Sequence, residues 1–236
     1  MSMYLEYFKY IMEHKINVFK ACYIKRRCWR NWKGLLWHGI THDLSKFTPL
    51  EFKAYAEHFY GKRNCSKCEF YNKCEPKDCR IAEECSKYKY KHFEEAWVHH
   101  YSVNKHHWNH WCYDWEKYYN LPSIDIEDCK LEHPEPIPHD YLIYMICDWE
   151  AMGYKFNDTP QQYYLNNYKK IEMDYDSRMM LEFYLGINDS VFNNYGHTIE
   201  HFVNMYDEET FNRCFGFIKK HHDVDIYTLL KDEEEL

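Results

Sequence analysis

Leu5, Phe8, Ile11, Met12, Val18 and Cys22 recur at helical spacing and predict one helix over residues 4–28. His14 lies three after Ile11 and four before Val18, so it shares that apolar face. Residues 26–33, RRCWRNWK, read as a basic-aromatic connection, and a second helix is expected over about 34–45. Thr48-Pro49 opens a third, because a hydroxyl residue before proline is a common helix start; PLEFKAYAEHFYG runs to Gly61. Residues 62–90 break the pattern, being polar, rich in cysteine and nearly devoid of aliphatic side chains, and read as an insertion. The helical pattern resumes from 92 to about 118. A proline-rich, acidic loop covers 120–139, and a helix at 140–155 follows, with Tyr141, Tyr144, Met145, Asp148 and Met152 on one side. Residues 160–185 read as helical around TPQQYYLNNYKKI and SRMMLEFYLG, and further helix follows Gly186 before the solvated tail KDEEEL. With no strand pattern and no internal repeat, the expected fold is an all-α bundle over 1–185, carrying a cysteine-rich insertion at 62–90 and a helical extension at 186–236.

Composition narrows this picture. With 236 residues, 45% of them hydrophobic, the chain can build a sizeable core. Seven glycines and seven prolines are too few for the turns of an all-β sandwich. A net charge of −8 excludes a global basic field drawing the protein onto nucleic acid or anionic lipid, and no apolar run is long enough to span a bilayer. The opening MSMYLEYFKYIMEHK carries Glu6, Lys9 and Glu13 and lacks the apolar stretch of a signal peptide, so a cytoplasmic location is expected. Eleven cysteines then call for an explanation other than disulfides. Cys65, Cys68, Cys74, Cys79 and Cys85 fall within one short stretch, C-x2-C-x5-C-x4-C-x5-C, whose first pair has zinc-knuckle spacing. A segment so poor in apolar side chains cannot fold around a core, and a structural zinc could supply its folding energy; an iron–sulfur cluster on the same thiolates, or no metal, are the alternatives.

Polar residues at core-facing positions carry the candidate chemistry. His14 and Asp148 sit on apolar faces, His42 and Asp43 are adjacent in the expected second helix, and His99, His100, His106 and His107 crowd the fourth. On that helix His100, Asn104 and His107 would share one face, and His99 and His106 a neighbouring one. A buried carboxylate is costly unless paired or coordinated, and imidazoles with carboxylates suit Zn, Fe, Mn or Ni. A single buried histidine is usually a hydrogen-bonded core residue; the combination across four segments points to a metal site.

The order His14…His42-Asp43…Asp148, with HDLSK after the doublet, resembles the HD-domain superfamily of metal-dependent phosphohydrolases. HKINV at 14–18 is similar to that family's first-histidine helix, and YMICDWEAM at 144–152 to its last helix. The strings HDLSKF, AWVHHYSVNKHHW and DWEA also resemble an uncharacterised bacterial and phage family, over about residues 5–185 without the insertion. The resemblance implies an HD-like fold, His14, His42, Asp43 and Asp148 as primary ligands of a divalent ion (Mn, Fe, Ni, Co, Zn or Mg), and His100 and His107, with His106 and His99 as alternates, as ligands of a second. It implies hydrolysis of a small phosphorylated substrate such as a nucleotide, with Asp43 bridging two ions. Lys46, one turn past the doublet, would offer charge to a phosphate, with Asn104 and Arg30 as further substrate contacts; a surface lysine or ion pair is the plainer reading of Lys46. The competing functions are a di-iron HD-fold oxygenase and a non-catalytic zinc-containing adaptor, which could bind nucleic acid through a local patch.

Overall fold

The structure, a computed structural model, describes residues 2–27, 29–61, 82–121 and 123–186, with side chains from residue 91 onward in the third stretch. Eight α-helices are formed there: α1 (Met3–Lys25), α2 (Trp32–Thr41), α3 (Pro49–Phe59), α4 (Ala82–Val103), α5 (Trp115–Asn120), α6 (His139–Phe156), α7 (Pro160–Asn167) and α8 (Tyr175–Leu185). Three 3-10 turns join them, at Leu44–Phe47, Trp108–Cys112 and Ile126–Cys129. No strand occurs among the described residues, only an isolated bridge between Tyr113 and Lys130, so the fold is all-α. No described helix is long and apolar enough to cross a membrane.

Local chemistry sets several ends. Thr48 caps α3 by accepting from the Glu51 N–H, with Pro49 in the first turn, and Thr159-Pro160 opens α7 in the same way. Asp174 caps α8 by accepting from Ser177, and Gly186, at φ 69, ends it in the left-handed conformation that glycine adopts without penalty.

The chain divides into two units and passes between them within α1, at the His42–Asp43 peptide bond and after Asn104. The first unit comprises residues 1–15 and 43–104. Its apolar core is aromatic, with Tyr7 and Ile11 of α1, Tyr55 of α3 and Ala96 of α4 at the centre and Phe52, Phe93 and Trp97 against them. The second unit comprises, among the described residues, 16–42 and 105–186. It is built on α6, in which every residue from Leu142 to Trp149 is buried, the pattern of a helix enclosed on all sides. Val18, Ala21 and Cys22 of α1, Leu35 of α2, Tyr164 of α7 and Leu181 and Leu185 of α8 complete that core. Cys22, Cys112, Cys129 and Cys147 are buried free thiols, used as small apolar side chains.

Some expectations need correction. On α1 the buried seam is Tyr7, Ile11, His14, Val18, Ala21 and Cys22, while Leu5, Phe8 and Met12 are exposed. The 5–8–12 stripe and the 7–11–14 stripe have the same helical spacing, and only packing chooses between them. The second helix stops at Thr41 and the fourth at Val103, while residues 160–185 form two helices in the two stretches expected.

Two predictions arise here. Gly39 of α2 is buried where α2 crosses α1; a Cβ there would lie 3.2 Å from the Phe19 Cα and 3.3 Å from the Cys22 Cβ. Backbone cannot yield as a side-chain tip can. The crowding costs about 1–3 kcal/mol and outweighs the roughly 1 kcal/mol helix-propensity gain of alanine. Gly39→Ala is therefore expected to lower stability, as a shift of the urea midpoint at constant slope shows.

His139 begins α6, with Nδ1 2.5 Å from the Tyr184 hydroxyl, and burial holds its pKa below the ordinary 6.5. The unfolded chain therefore binds this proton more readily than the folded one. Stability is fully present above 6.5 and falls as pH drops through that value. Melting temperatures of His139→Gln and wild type, compared between about pH 5 and 8, should show a shallower acid loss in the variant.

Candidate metal centre

In the first unit the polar cluster is organised by Asp43. This residue follows α2 in a left-handed turn, φ 55 and ψ 29, a conformation that Asp tolerates better than most residues. The turn aims its carboxylate inward, where it is 2% exposed. Its two oxygens face different histidines: Oδ1 lies 3.4 Å from His100 Nε2, and Oδ2 lies 3.8 Å from His14 Nε2. Lys46 Nζ is 2.5 Å from Oδ2, so Lys46 is an ion-pair partner of Asp43.

Behind His100 stands Glu51, fully buried at the start of α3. Its carboxylate accepts from His100 Nδ1 at 2.9 Å, His99 Nδ1 at 2.7 Å and Ser45 Oγ at 3.0 Å. Asn104 donates to Ser45 Oγ at 2.8 Å and to the His100 carbonyl at 2.7 Å. Burial pushes the Glu51 carboxyl above its ordinary range, and the bonds from His99 and Ser45 pull the other way. With the Nδ1 proton of His100 given to Glu51, the Nε2 lone pair points at Asp43 Oδ1. At 3.4 Å the two atoms leave room for a proton on Nε2 or for a metal ion between them. Two ligands each about 2.1 Å from one ion sit about 3.0–3.4 Å apart at octahedral or tetrahedral angles. The His100–Asp43 pair therefore fits a metal, and Glu51 fixes the imidazole as a carboxylate behind a metal-bound histidine does.

In the second unit His42, the residue that caps α2, is almost fully buried. Its Nε2 lies 3.4 Å from Asp148 Oδ1 of α6, the same ligand-to-ligand spacing as in the first unit. Its Nδ1 lies 3.2 Å from His38 Nε2, so His38 can hold the His42 ring as Glu51 holds His100. The His38 ring stacks on Tyr144 with centroids 4.1 Å apart and planes at 4°. His106 adds a third imidazole, its ring 4.4 Å from that of His42. Each of His38, His42 and His106 offers a ligand nitrogen, all within 4.8 Å of one another. The His107 ring lies 4.2 Å from that of His106. These His and Asp groups could hold a metal ion.

Several site expectations change. The doublet is not helical: His42 caps α2 and Asp43 is in the left-handed turn, so the angle between them is set by that turn and not by a helical period. His106 and His107 lie beyond the end of α4 at Val103, so the shared face of His100, Asn104 and His107 does not exist. Asn104 instead supports Ser45 and His100. His99 turns to Glu51. Arg30 is exposed in the connection between α1 and α2. Cys65, Cys68, Cys74 and Cys79 lie outside the described residues, and Cys85 falls within α4 in a part whose side chains are not described.

Sequence reasoning gave no role at the site to Glu51, Ser45 or His38. Thr48-Pro49-Leu50-Glu51 has the form of a helix capping box, which gives Glu51 a local use, yet its side chain is turned to the histidines. His38 stands four residues before His42, the spacing of same-face neighbours, and that was the available signal.

No curated protein and no solved structure matches the chain. A family model does match, over residues 3–187, most of the sequence and all eight helices. The chain belongs to that family, DUF5662, a family of unknown function.

Proposed function

We propose that the protein is a metal-dependent phosphohydrolase of the HD-domain type, acting on a nucleotide or a related phosphate ester. The observation that carries this reading is the recurrence of a buried His Nε2–Asp Oδ1 pair at 3.4 Å in each unit, His100 with Asp43 and His42 with Asp148. The resemblance of the sequence to HD-domain proteins supplies the ligand assignment: His14, His42, Asp43 and Asp148 first, His100 and His107 for a second ion, with His106 as the alternate.

A divalent ion held there supplies a Lewis acid for a phosphate oxygen and lowers the pKa of a water. The side chains do the rest. Asp43 presents one oxygen toward His14 and the other toward His100, the arrangement of a carboxylate that serves two ions. Glu51 and His38 hold the rings of His100 and His42 by Nδ1, so that Nε2 would be the nitrogen left for a metal. Lys46 balances the Asp43 charge from one turn away and brings an ammonium to the place where a phosphate would bind.

The test is a screen of the chelator-stripped protein, reloaded in turn with Mn, Fe, Co, Ni, Zn and Mg, for phosphate release from nucleotides. Metal-dependent release is the expected result. Oxygen consumption by the iron-loaded protein, with no phosphate release under any metal, would overturn it in favour of oxidative chemistry.

A further inference from the structure

The first unit buries two phenols that the ligand assignment leaves unused. Tyr7 of α1 is fully buried and Tyr55 of α3 is 5% exposed. Neither hydroxyl has a hydrogen-bond partner among the described residues. Buried tyrosine hydroxyls nearly always have one, since leaving the group dry and unbonded is costly. The two rings stack on each other, with centroids 6.0 Å apart and planes at 15°. The pair lies against the polar cluster: the Tyr55 ring is 6.2 Å from the His100 ring, and Lys46 Nζ, paired with Asp43, is 6.0 Å from the Tyr55 ring centroid.

The nearest carboxylates are already engaged. Asp43 faces His14, His100 and Lys46, and Glu51 takes His99, His100 and Ser45. A phenol keeps its proton at neutral pH, so each hydroxyl can act as a donor. Two fixed donors beside an ammonium suit an oxyanion, the chemistry that recognises the non-bridging oxygens of a phosphate.

We propose that the hydroxyls of Tyr7 and Tyr55 donate hydrogen bonds to oxygens of a phosphate group bound beside Asp43. This assignment rests on the phosphohydrolase reading and adds to it the residues that grip the substrate's phosphate.

The experiment compares metal-loaded wild type, Tyr7→Phe, Tyr55→Phe and the double variant. Three quantities are read: affinity for inorganic phosphate by calorimetry, metal content, and melting temperature. Each single variant is expected to bind phosphate about tenfold more weakly, the loss of one hydrogen bond to a charged group. The double variant is expected to lose more. Metal content stays unchanged and the melting temperature holds or rises, since each change removes a buried hydroxyl that no protein group satisfies. Wild-type affinity in the double variant would mean that the hydroxyls serve only a buried water, and would reject this assignment while leaving the phosphohydrolase reading intact. A fall in melting temperature or metal content that accounts for the weaker binding would reject it in favour of a packing role. Wild type that takes up metal and binds no phosphate would reject both.

Discussion

Asp43→Asn is expected to release the metal held at that position and to lower phosphate release by about a thousandfold or more, equivalent to about 4 kcal/mol of transition-state stabilisation. Asparagine is the informative replacement. Asp43 adopts φ 55, which Asn also tolerates, whereas Ala adds a backbone cost of about 1–2 kcal/mol that confuses the reading. The substitution keeps the volume and one oxygen, and removes the charge. That charge lies among His14, His100 and Lys46. The apo variant should be measurably less stable as well, because the ion pair of Lys46 with the buried Asp43 carboxylate is lost. Circular dichroism reports whether the helices survive, and phosphate release per metal-loaded chain reports the chemistry. Full turnover by a correctly folded Asp43→Asn protein would contradict the mechanism.

Glu51 separates positioning from ligation. Glu51→Ala strands three donors, His99 Nδ1, His100 Nδ1 and Ser45 Oγ, around a buried void. Breaking such a buried network costs about 3–5 kcal/mol, a melting-temperature loss of roughly 10 °C for a chain of this size. Glu51→Gln has a different expected outcome. The amide keeps an acceptor oxygen and the shape of the side chain, so most of the stability returns. The charge that makes His100 a better ligand is lost, and metal affinity should fall about 10–100-fold. Metal titration of the Gln variant alongside thermal melts of both is the check. A Gln variant as unstable as Ala with unchanged metal affinity would make Glu51 purely structural.

Parts of this architecture are legible in the sequence because they rest on local chemistry. The start of α3 at Thr48-Pro49 and the end of α8 at Gly186 follow from a cap hydroxyl and a left-handed glycine. The long α6 and the inward position of Asp148 follow from a run of apolar residues with one carboxylate in it. What could not be read was decided by longer-range contacts. Nothing in THDLSKF marks a break, since it holds neither Gly nor Pro, yet the chain leaves the helix at His42 and turns left-handed at Asp43. The end of α4 was hidden in the same way: nothing in SVNKHH marks a stop at Val103, since it holds neither Gly nor Pro. On α1 two adjacent apolar stripes competed, and Tyr7, with its ring at the centre of an aromatic core, marks the one that is buried. Glu51 escaped notice because a local capping pattern accounted for it, while its partners lie about fifty residues away on α4.

The measurement that bears most directly on the account is metal stoichiometry. Wild type and Asp43→Asn would be stripped, offered Mn, Fe, Co, Ni and Zn in turn, and analysed by mass spectrometry. A variant lacking Cys65, Cys68, Cys74, Cys79 and Cys85 would be run beside them to identify any zinc held by those thiols. The account predicts at least one ion per chain in wild type that the cysteine variant retains and Asp43→Asn loses. An Asp43→Asn protein that holds every ion wild type holds, or a wild type with no ion beyond those the cysteines take, would make the histidine–aspartate cluster structural and contradict the enzyme reading.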